Sequence, residues 1–422
     1  MSALKPVKVG LVGCGMIAIR SYMPTILRQY SFIDVVKCAD SVPERAQLFE
    51  QKFGCKATTV EDIMNDPEIE IVLNLTYPTS HLAITKMALE HGKHCHTEKM
   101  AGVSWEDGLE LLKLAEECEK KGIWYTQAPD TWLGGAWQTA RQIIDSGFIG
   151  DPLGAFALVT RGNMILGAER GKSTRRELPK QEGEEDMFAR FGALLPGYNP
   201  RTPAGSGLPF DMGGYYLHNL INLLGNINRV SGYIKTNIKF DESKDPLNEK
   251  YKSMIDNHEP DTLVGSLEFD NGCYGSIMFL SGYKQSDTAL TIYGSEANLV
   301  CPDPNFYGGK VFIQKNQRKN MMDLMVPGEG IQPMDMYQVP FTHGIIDEGR
   351  GVGLLDLAFA IRNGRKPRCH YSMGMQSFEV VHGLIDSCAN GVNHKMVTKV
   401  EQPKAVKPGV YNGFECQCVF DD

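Results

Sequence analysis

The side chains best suited to chemistry lie in a few short stretches. Lys99 stands in Thr97-Glu98-Lys99-Met100, where a short apolar strand ends. A lysine at such an end is a candidate acid or base, set against the plainer reading of a surface lysine. Asp211, Tyr215 and His218 follow one another by four and three residues. That spacing lets the three side chains converge near the start of one helix. Another stretch offers backbone rather than side chains. The apolar run Val7–Val12 closes on Gly13-Cys14-Gly15-Met16-Ile17-Ala18. Gly13 permits a tight turn, Gly15 leaves room for a pyrophosphate, and Ala18 keeps the next helix close to the strand. Met16 and Ile17 open that helix, whose free N–H groups face phosphates. Asp40 comes 25 residues after Gly15, at the end of a second strand. A carboxylate there accepts from adenosine ribose hydroxyls and repels a 2′-phosphate, which favours NAD over NADP. Ser41 and Arg45 stand close enough to soften that preference, and a helix-capping aspartate is the alternative.

These residues require a frame. Strands at 34–39, 69–75, 94–97 and 124–127 alternate with helices at 17–30, from Pro43, at 79–91 and at 105–121. Strict alternation with short links predicts a doubly wound parallel sheet. Ligands of such sheets sit outside the strands' carboxyl ends. Thr76-Tyr77-Pro78 with His81 leaves one strand there, and Glu98-Lys99 leaves the next. From Ala128 the pattern changes. The predicted division is residues 1–127 for the nucleotide and 128–422 for a second, α+β region. Strand-like runs at 155–160, 230–238, 262–269, 275–280, 289–293 and 310–314 lack intervening helices, so a mostly antiparallel sheet is expected. Residues 162–206 read as one long loop.

Composition narrows the classes. The chain has 422 residues and a net charge of −8 without a long run of one sign. That argues against a nucleic-acid surface, which needs a basic stripe. No apolar run is long enough for a membrane helix, and the first residues show no signal-peptide pattern. Eleven scattered cysteines predict reduced thiols in a cytoplasmic protein. Cys416 and Cys418 read as part of a solvated tail. His94-Cys95-His96 invites a zinc reading, but on a strand the middle side chain faces away from the other two, so no metal is expected.

In combination these motifs resemble the glucose–fructose oxidoreductase / inositol dehydrogenase family (Gfo/Idh/MocA), over about residues 5–390. Four motifs in order carry the resemblance: Gly13-x-Gly15-x-x-Ala18, Thr76-x-Pro78-x-x-His81, Gly92-Lys93-His94 leading to Glu98-Lys99, and Asp211-x-Gly213-x-Tyr215. Gly147-Phe148-Ile149-Gly150 matches the family's turn into its second domain. The resemblance implies a Rossmann domain followed by an α/β domain with a large open sheet. That sheet commonly serves oligomerisation, so a homodimer or homotetramer is implied. It implies NAD(P)-dependent oxidation of a hydroxyl on a sugar, sugar derivative or cyclitol. By position, Lys99 is the catalytic lysine of a Glu-Lys-Pro motif and Asp211 positions the substrate. Tyr215 falls where many members carry the catalytic histidine, and His218 where many carry an aspartate. The cofactor set is Gly13, Gly15, Met16, Ile17, Asp40, Ser41, Thr76, Tyr77, Pro78, His81, Glu98 and Lys99.

The chain departs from the family at two places. Met100 replaces the proline after Lys99. A cis bond before a residue other than proline costs about 2.5–4 kcal/mol, so trans geometry or stored strain is expected there. Tyr215 cannot simply substitute for histidine, since its ordinary pKa is about 10 against about 6.5. Three assignments stay open: a tyrosinate-like Tyr215 tuned by Lys99, an imidazole supplied by His218, or Lys99 acting itself while Asp211 and Tyr215 bind hydroxyls. Trp132 could stack on a sugar face or lie in the core. Arg161 and the arginines at 170–176 could bind an acidic sugar or phosphate, or belong to a solvated loop. Three functions fit: a sugar or cyclitol dehydrogenase, an NAD-dependent glycosidase that oxidises its substrate transiently, and a non-catalytic nucleotide sensor.

Overall fold

A computed structural model describes residues 5–161, 207–235, 260–281, 286–315, 325–326, 330–331 and 335–409. The expected loop at 162–206 and the Cys416–Cys418 tail lie outside them. Val7–Val12 forms β1, buried along nearly its whole length. It pairs in parallel with β2 (Ile33–Ala39) and β4 (Ile71–Asn74). β3 (Lys56–Ala57), β5 (His94–Thr97) and β6 (Tyr125–Gln127) complete a six-stranded parallel sheet in the order β3-β2-β1-β4-β5-β6. The order reverses between β1 and β4, which opens a crevice at their carboxyl ends.

Local chemistry sets the helices. Pro43 starts α2 (Pro43–Phe53), and Gly54 at φ 80° ends it. α5 (Trp105–Glu119) carries a reciprocal cap: Ser104 accepts from the Asp107 N–H, and Asp107 accepts from the Ser104 N–H. Such caps contribute about 1 kcal/mol. The segment expected as one helix over 17–30 opens instead with a π-helical stretch, Ala18–Tyr22, before α1 (Met23–Gln29). π-Turns of this kind cluster at functional sites. β3 and α3 (Val60–Asn65) are additions to the expected elements.

The second sheet has nine strands, with β7 (Pro152–Arg161) between β10 (Tyr274–Ser281) and β11 (Asp287–Gly294). Among the described strands of this sheet, only the β7–β10 pair is parallel. α7 (Leu208–Leu224) and α9 (Tyr371–Asn390) cover it, and α7 is buried at every position but Asp211. α8 (Val352–Asn363) packs against the parallel sheet. The nine cysteines among the described residues are free thiols. No described helix is long and apolar enough to cross a membrane. The expectation of a trans bond before Met100 is corrected: the Lys99–Met100 peptide is cis.

Candidate active site

Two adjoining spaces open outside the carboxyl ends of the parallel strands. The first, about 890 Å³, is lined by Gly13, Gly15, Met16, Ile17, Asp40, Ser41, Thr76 and Tyr77, among others. Gly13 has φ +101°, and a Cβ there would lie 2.6 Å from the Leu75 carbonyl carbon, so only glycine fits. Gly15 is the opposite case: a Cβ there would meet nothing within 4 Å, because the residue faces open space before the helix. Such an opening can cradle a pyrophosphate. Asp40 Oδ2 accepts from the Cys14 N–H at 2.9 Å and Oδ1 from the Val42 N–H at 2.9 Å. These bonds fix the carboxylate beside the turn, and its oxygens keep lone pairs for ribose hydroxyls. Arg45 approaches Oδ1 at 3.5 Å. The donor and acceptor set fits NAD.

The second space, about 1180 Å³, shares Met16, Ile17 and Thr76 with the first and reaches Pro78, Glu98, Lys99, Asp211, Tyr215 and Arg350. Lys99 Nζ donates to Asp211 Oδ1 at 2.5 Å and to the Asp211 carbonyl at 2.7 Å. It stands 5.4 Å from the centre of the Tyr215 ring. Burial disfavours the ammonium, but Asp211, Tyr215 and Glu98 outweigh it and hold Lys99 above the ordinary lysine range. Glu98 is steadied by the Tyr22 hydroxyl at 2.8 Å and by the Lys99 N–H at 3.1 Å.

Tyr215 has a second cationic neighbour. Arg350 Nη2 donates to its hydroxyl oxygen at 3.2 Å and to Asn305 Oδ1 at 3.1 Å, while Nη1 pairs with Glu348 at 2.9 Å. A guanidinium cannot accept, so the Tyr215 oxygen is the acceptor and its own hydrogen is left for another partner. The backbone that carries Arg350 is pinned from below. Buried Asp130 accepts from the N–H groups of Gly351 at 3.0 Å and Gly353 at 2.9 Å, and from the Tyr307 hydroxyl. Burial holds the Asp130 carboxyl above its usual range. Tyr30 donates to the Gly349 carbonyl at 2.7 Å. Arg350, Asn305 and Asp130 were not legible as site residues. Their stretches show no motif, and only the tertiary hydrogen bonds bring them together.

Three expected residues are placed elsewhere. His218 does not line the cleft. Its Nδ1 donates to the Pro129 carbonyl at 2.9 Å, and burial lowers its pKa to about 4. Trp132 is completely buried, as the core reading has it. His81 is buried between two carbonyl oxygens, Met100 at 2.6 Å and Thr76 at 3.0 Å, where it ties the two strand ends together. Arg161 and Arg20 do line the cleft; the arginines at 170–176 lie outside the described residues. His94 Nδ1 accepts from the Trp124 N–H at 2.9 Å and His96 bonds Thr126 at 2.9 Å.

Comparison with known proteins agrees with this architecture. Residues 7–126 match the family model described as oxidoreductase family, NAD-binding Rossmann fold. Residues 200–396 match the model for the same family's C-terminal alpha/beta domain. Inositol 2-dehydrogenase/D-chiro-inositol 3-dehydrogenase of Lactiplantibacillus plantarum is 29% identical over 153 residues, 35% of this chain and 42% of that protein. D-xylose dehydrogenase of Paenarthrobacter nicotinovorans is 24% identical over 242 residues, 57% of this chain and 53% of that protein. The chain thus spans about half the length of these curated relatives. Levoglucosan dehydrogenase, solved with NADH and levoglucosan, superposes with a TM-score of 0.69 at 18% identity, covering 93% of this chain and all of that one; this likeness shows the fold. With both family models matched in order along the chain, it belongs to the Gfo/Idh/MocA family of NAD-binding oxidoreductases.

Proposed function

We propose that this chain is an NAD-dependent dehydrogenase acting on a secondary hydroxyl of a sugar, sugar derivative or cyclitol. The observation that carries the reading is the cluster of Lys99, Asp211 and Tyr215 in a cleft that shares Met16, Ile17 and Thr76 with the dinucleotide cradle. The dehydrogenase names of the inositol- and xylose-oxidising relatives agree with it. Bound NAD supplies the hydride acceptor. Asp211 fixes the Lys99 ammonium, which stabilises the charge that develops on the substrate oxygen. Since Lys99 is held protonated, proton exchange falls to the Tyr215 oxygen, with Arg350 and Lys99 balancing negative charge there. Asp40 favours NAD over NADP. Tyr233, Tyr274 and Tyr293, exposed on the nine-stranded sheet, fit a homodimer or homotetramer, which light scattering checks.

The test is NADH formation across hexoses, uronic acids, cyclitols and aryl glycosides. A hydroxyl-bearing substrate that reduces NAD⁺ stoichiometrically supports the reading. Glycoside cleavage without net NADH would replace it with an NAD-recycling glycosidase.

A further inference from the structure

Two stretches without regular secondary structure carry side chains into the cleft. Asn305 lies in residues 303–307 and Arg350 in 348–351, and both line the space with Tyr215. One buried residue ties the two stretches together. Asp130 accepts from the Tyr307 hydroxyl, just past Asn305, and from the N–H groups of Gly351 at 3.0 Å and Gly353 at 2.9 Å, just past Arg350. It is 1% exposed and lines neither the cleft nor the nucleotide cradle. Its neighbour Thr131 donates to the Pro304 carbonyl at 2.8 Å, so the same turn holds the first stretch twice. The two tips then meet. Arg350 Nη2 donates to Asn305 Oδ1 at 3.1 Å and to the Tyr215 oxygen at 3.2 Å. That nitrogen bears two hydrogens, and both are thereby committed. Nη1 pairs with Glu348 at 2.9 Å. With the guanidinium fixed by Asn305, Tyr215 and Glu348, a shift of its backbone moves the bond that Tyr215 receives.

We propose that Asp130 is a positioning residue for the reaction: it sets the Arg350 guanidinium, with Asn305 beside it, and through that guanidinium the orientation of the Tyr215 hydroxyl. This rests on the dehydrogenase reading, in which the Tyr215 oxygen exchanges the proton, and adds to it the group that places the exchanging atom. From outside both spaces, Asp130 acts only through these neighbours. The effect is geometric. Arg350 occupies one lone pair of the Tyr215 oxygen, so the phenolic hydrogen is turned away from Arg350. A misplacement of about 1 Å, caused by a change far from the chemistry, can cost about 10²-fold in rate.

The test is a double-mutant cycle on the whole protein. It is read as NADH formation from NAD⁺ with myo-inositol, D-xylose, D-glucose or D-glucuronate, whichever turns over fastest. Asp130→Ala is expected to lower kcat by about 10–100-fold and to leave the KM for NAD⁺ within about threefold. Asp130→Asn should recover most of that loss, because its amide oxygen can take both N–H groups while its amide nitrogen meets the Tyr307 oxygen. In an Arg350→Met background the same Asp130→Ala change should cost less than about threefold, since the group it places is gone. Should Asp130→Ala fail to fold, Tyr307→Phe removes one bond from the same carboxylate. Its expected cost in kcat is about three- to tenfold in the parent and less than about 1.5-fold beside Arg350→Met. A merely structural aspartate would lower the melting temperature and cost the same factor in both backgrounds. That result, or an Asn variant as slow as the Ala one, would overturn this proposal and leave the dehydrogenase reading standing. No NADH from any of these substrates or from the wider panel would overturn both.

Discussion

Lys99→Met is the sharpest test of the chemistry. Methionine keeps the apolar stem and removes the ammonium. Lys99 is only 15% exposed, so water screens it weakly. An ammonium about 3 Å from a forming alkoxide, at an effective dielectric of about 20, is worth roughly 5 kcal/mol. Part of that is present in the ground state or is regained from a water that fills the gap. About 3–4 kcal/mol then remains, a fall in kcat of about 10²–10³-fold. The nucleotide cradle at Gly13, Gly15 and Asp40 does not touch Lys99, so NAD⁺ affinity should change by less than about threefold. The lost ion pair with Asp211, itself 31% exposed, should cost under about 1 kcal/mol of stability, leaving the melting temperature within a few degrees. Steady-state NADH formation gives kcat, nucleotide titration gives affinity, and melting checks the fold. A kcat within about fivefold of the parent would refute the electrostatic role. A loss of NAD⁺ affinity in step with activity would move Lys99 from substrate chemistry to cofactor binding.

Other perturbations follow from single contacts. Gly15→Ala meets no atom within 4 Å, so the fold should hold while NAD⁺ binding weakens at least about tenfold as the methyl enters the pyrophosphate's space; unchanged affinity would contradict the cradle. Gly214→Ala would put a Cβ 2.9 Å from Pro129 Cδ and 3.8 Å from Lys99 Cβ, so kcat should fall more than stability, as rate and melting measurements together would show. Tyr215→Phe should cut kcat by about 10²–10⁴-fold with nucleotide affinity intact; near-normal turnover would return proton transfer to Lys99. His218→Gln probes acid stability. Burial holds the native pKa at about 4 against about 6.5 unfolded, so between those values the unfolded chain binds the extra proton and stability falls as pH drops. The variant should lose less stability than the parent across that window in melting curves, and equal slopes would show that His218 titrates normally.

The nucleotide half was legible because its signals are local. A strand, two glycines and an acid at a second strand's end are set by backbone geometry, and β1, Gly13, Gly15 and Asp40 lie as that geometry demands. β3 and α3 escaped notice because two- and six-residue elements carry too little periodicity. The cis bond at Met100 ran against the only local rule available, the energetic preference for trans. Arg350 was illegible for a different reason. It sits in Glu348-Gly349-Arg350-Gly351, a stretch without pattern, and reaches Tyr215 only because Asp130, far away in sequence, holds the N–H groups on either side of Val352.

The choice between Tyr215 and His218 shows where spacing stops informing. At 100° per residue, Tyr215 is displaced about 40° from Asp211 around the helix and His218 only about 20°. By azimuth alone His218 is the better partner. The helix also rises 1.5 Å per residue, so Tyr215 sits about 6 Å along the axis from Asp211 and His218 about 10 Å. Lys99 Nζ is anchored on Asp211 itself, in the helix's first turn, so the proposed chemistry sits nearer Tyr215 than His218. One turn further on, the histidine meets the Pro129 carbonyl instead of the cleft. The same approach of α7 to Pro129 is what the missing Cβ of Gly214 permits. The contact that draws Tyr215 towards Lys99 therefore also seals His218 behind Pro129. On the proposed mechanism, the phenol one turn after Asp211, near the Lys99 ammonium and bonded by the Arg350 guanidinium, exchanges the proton.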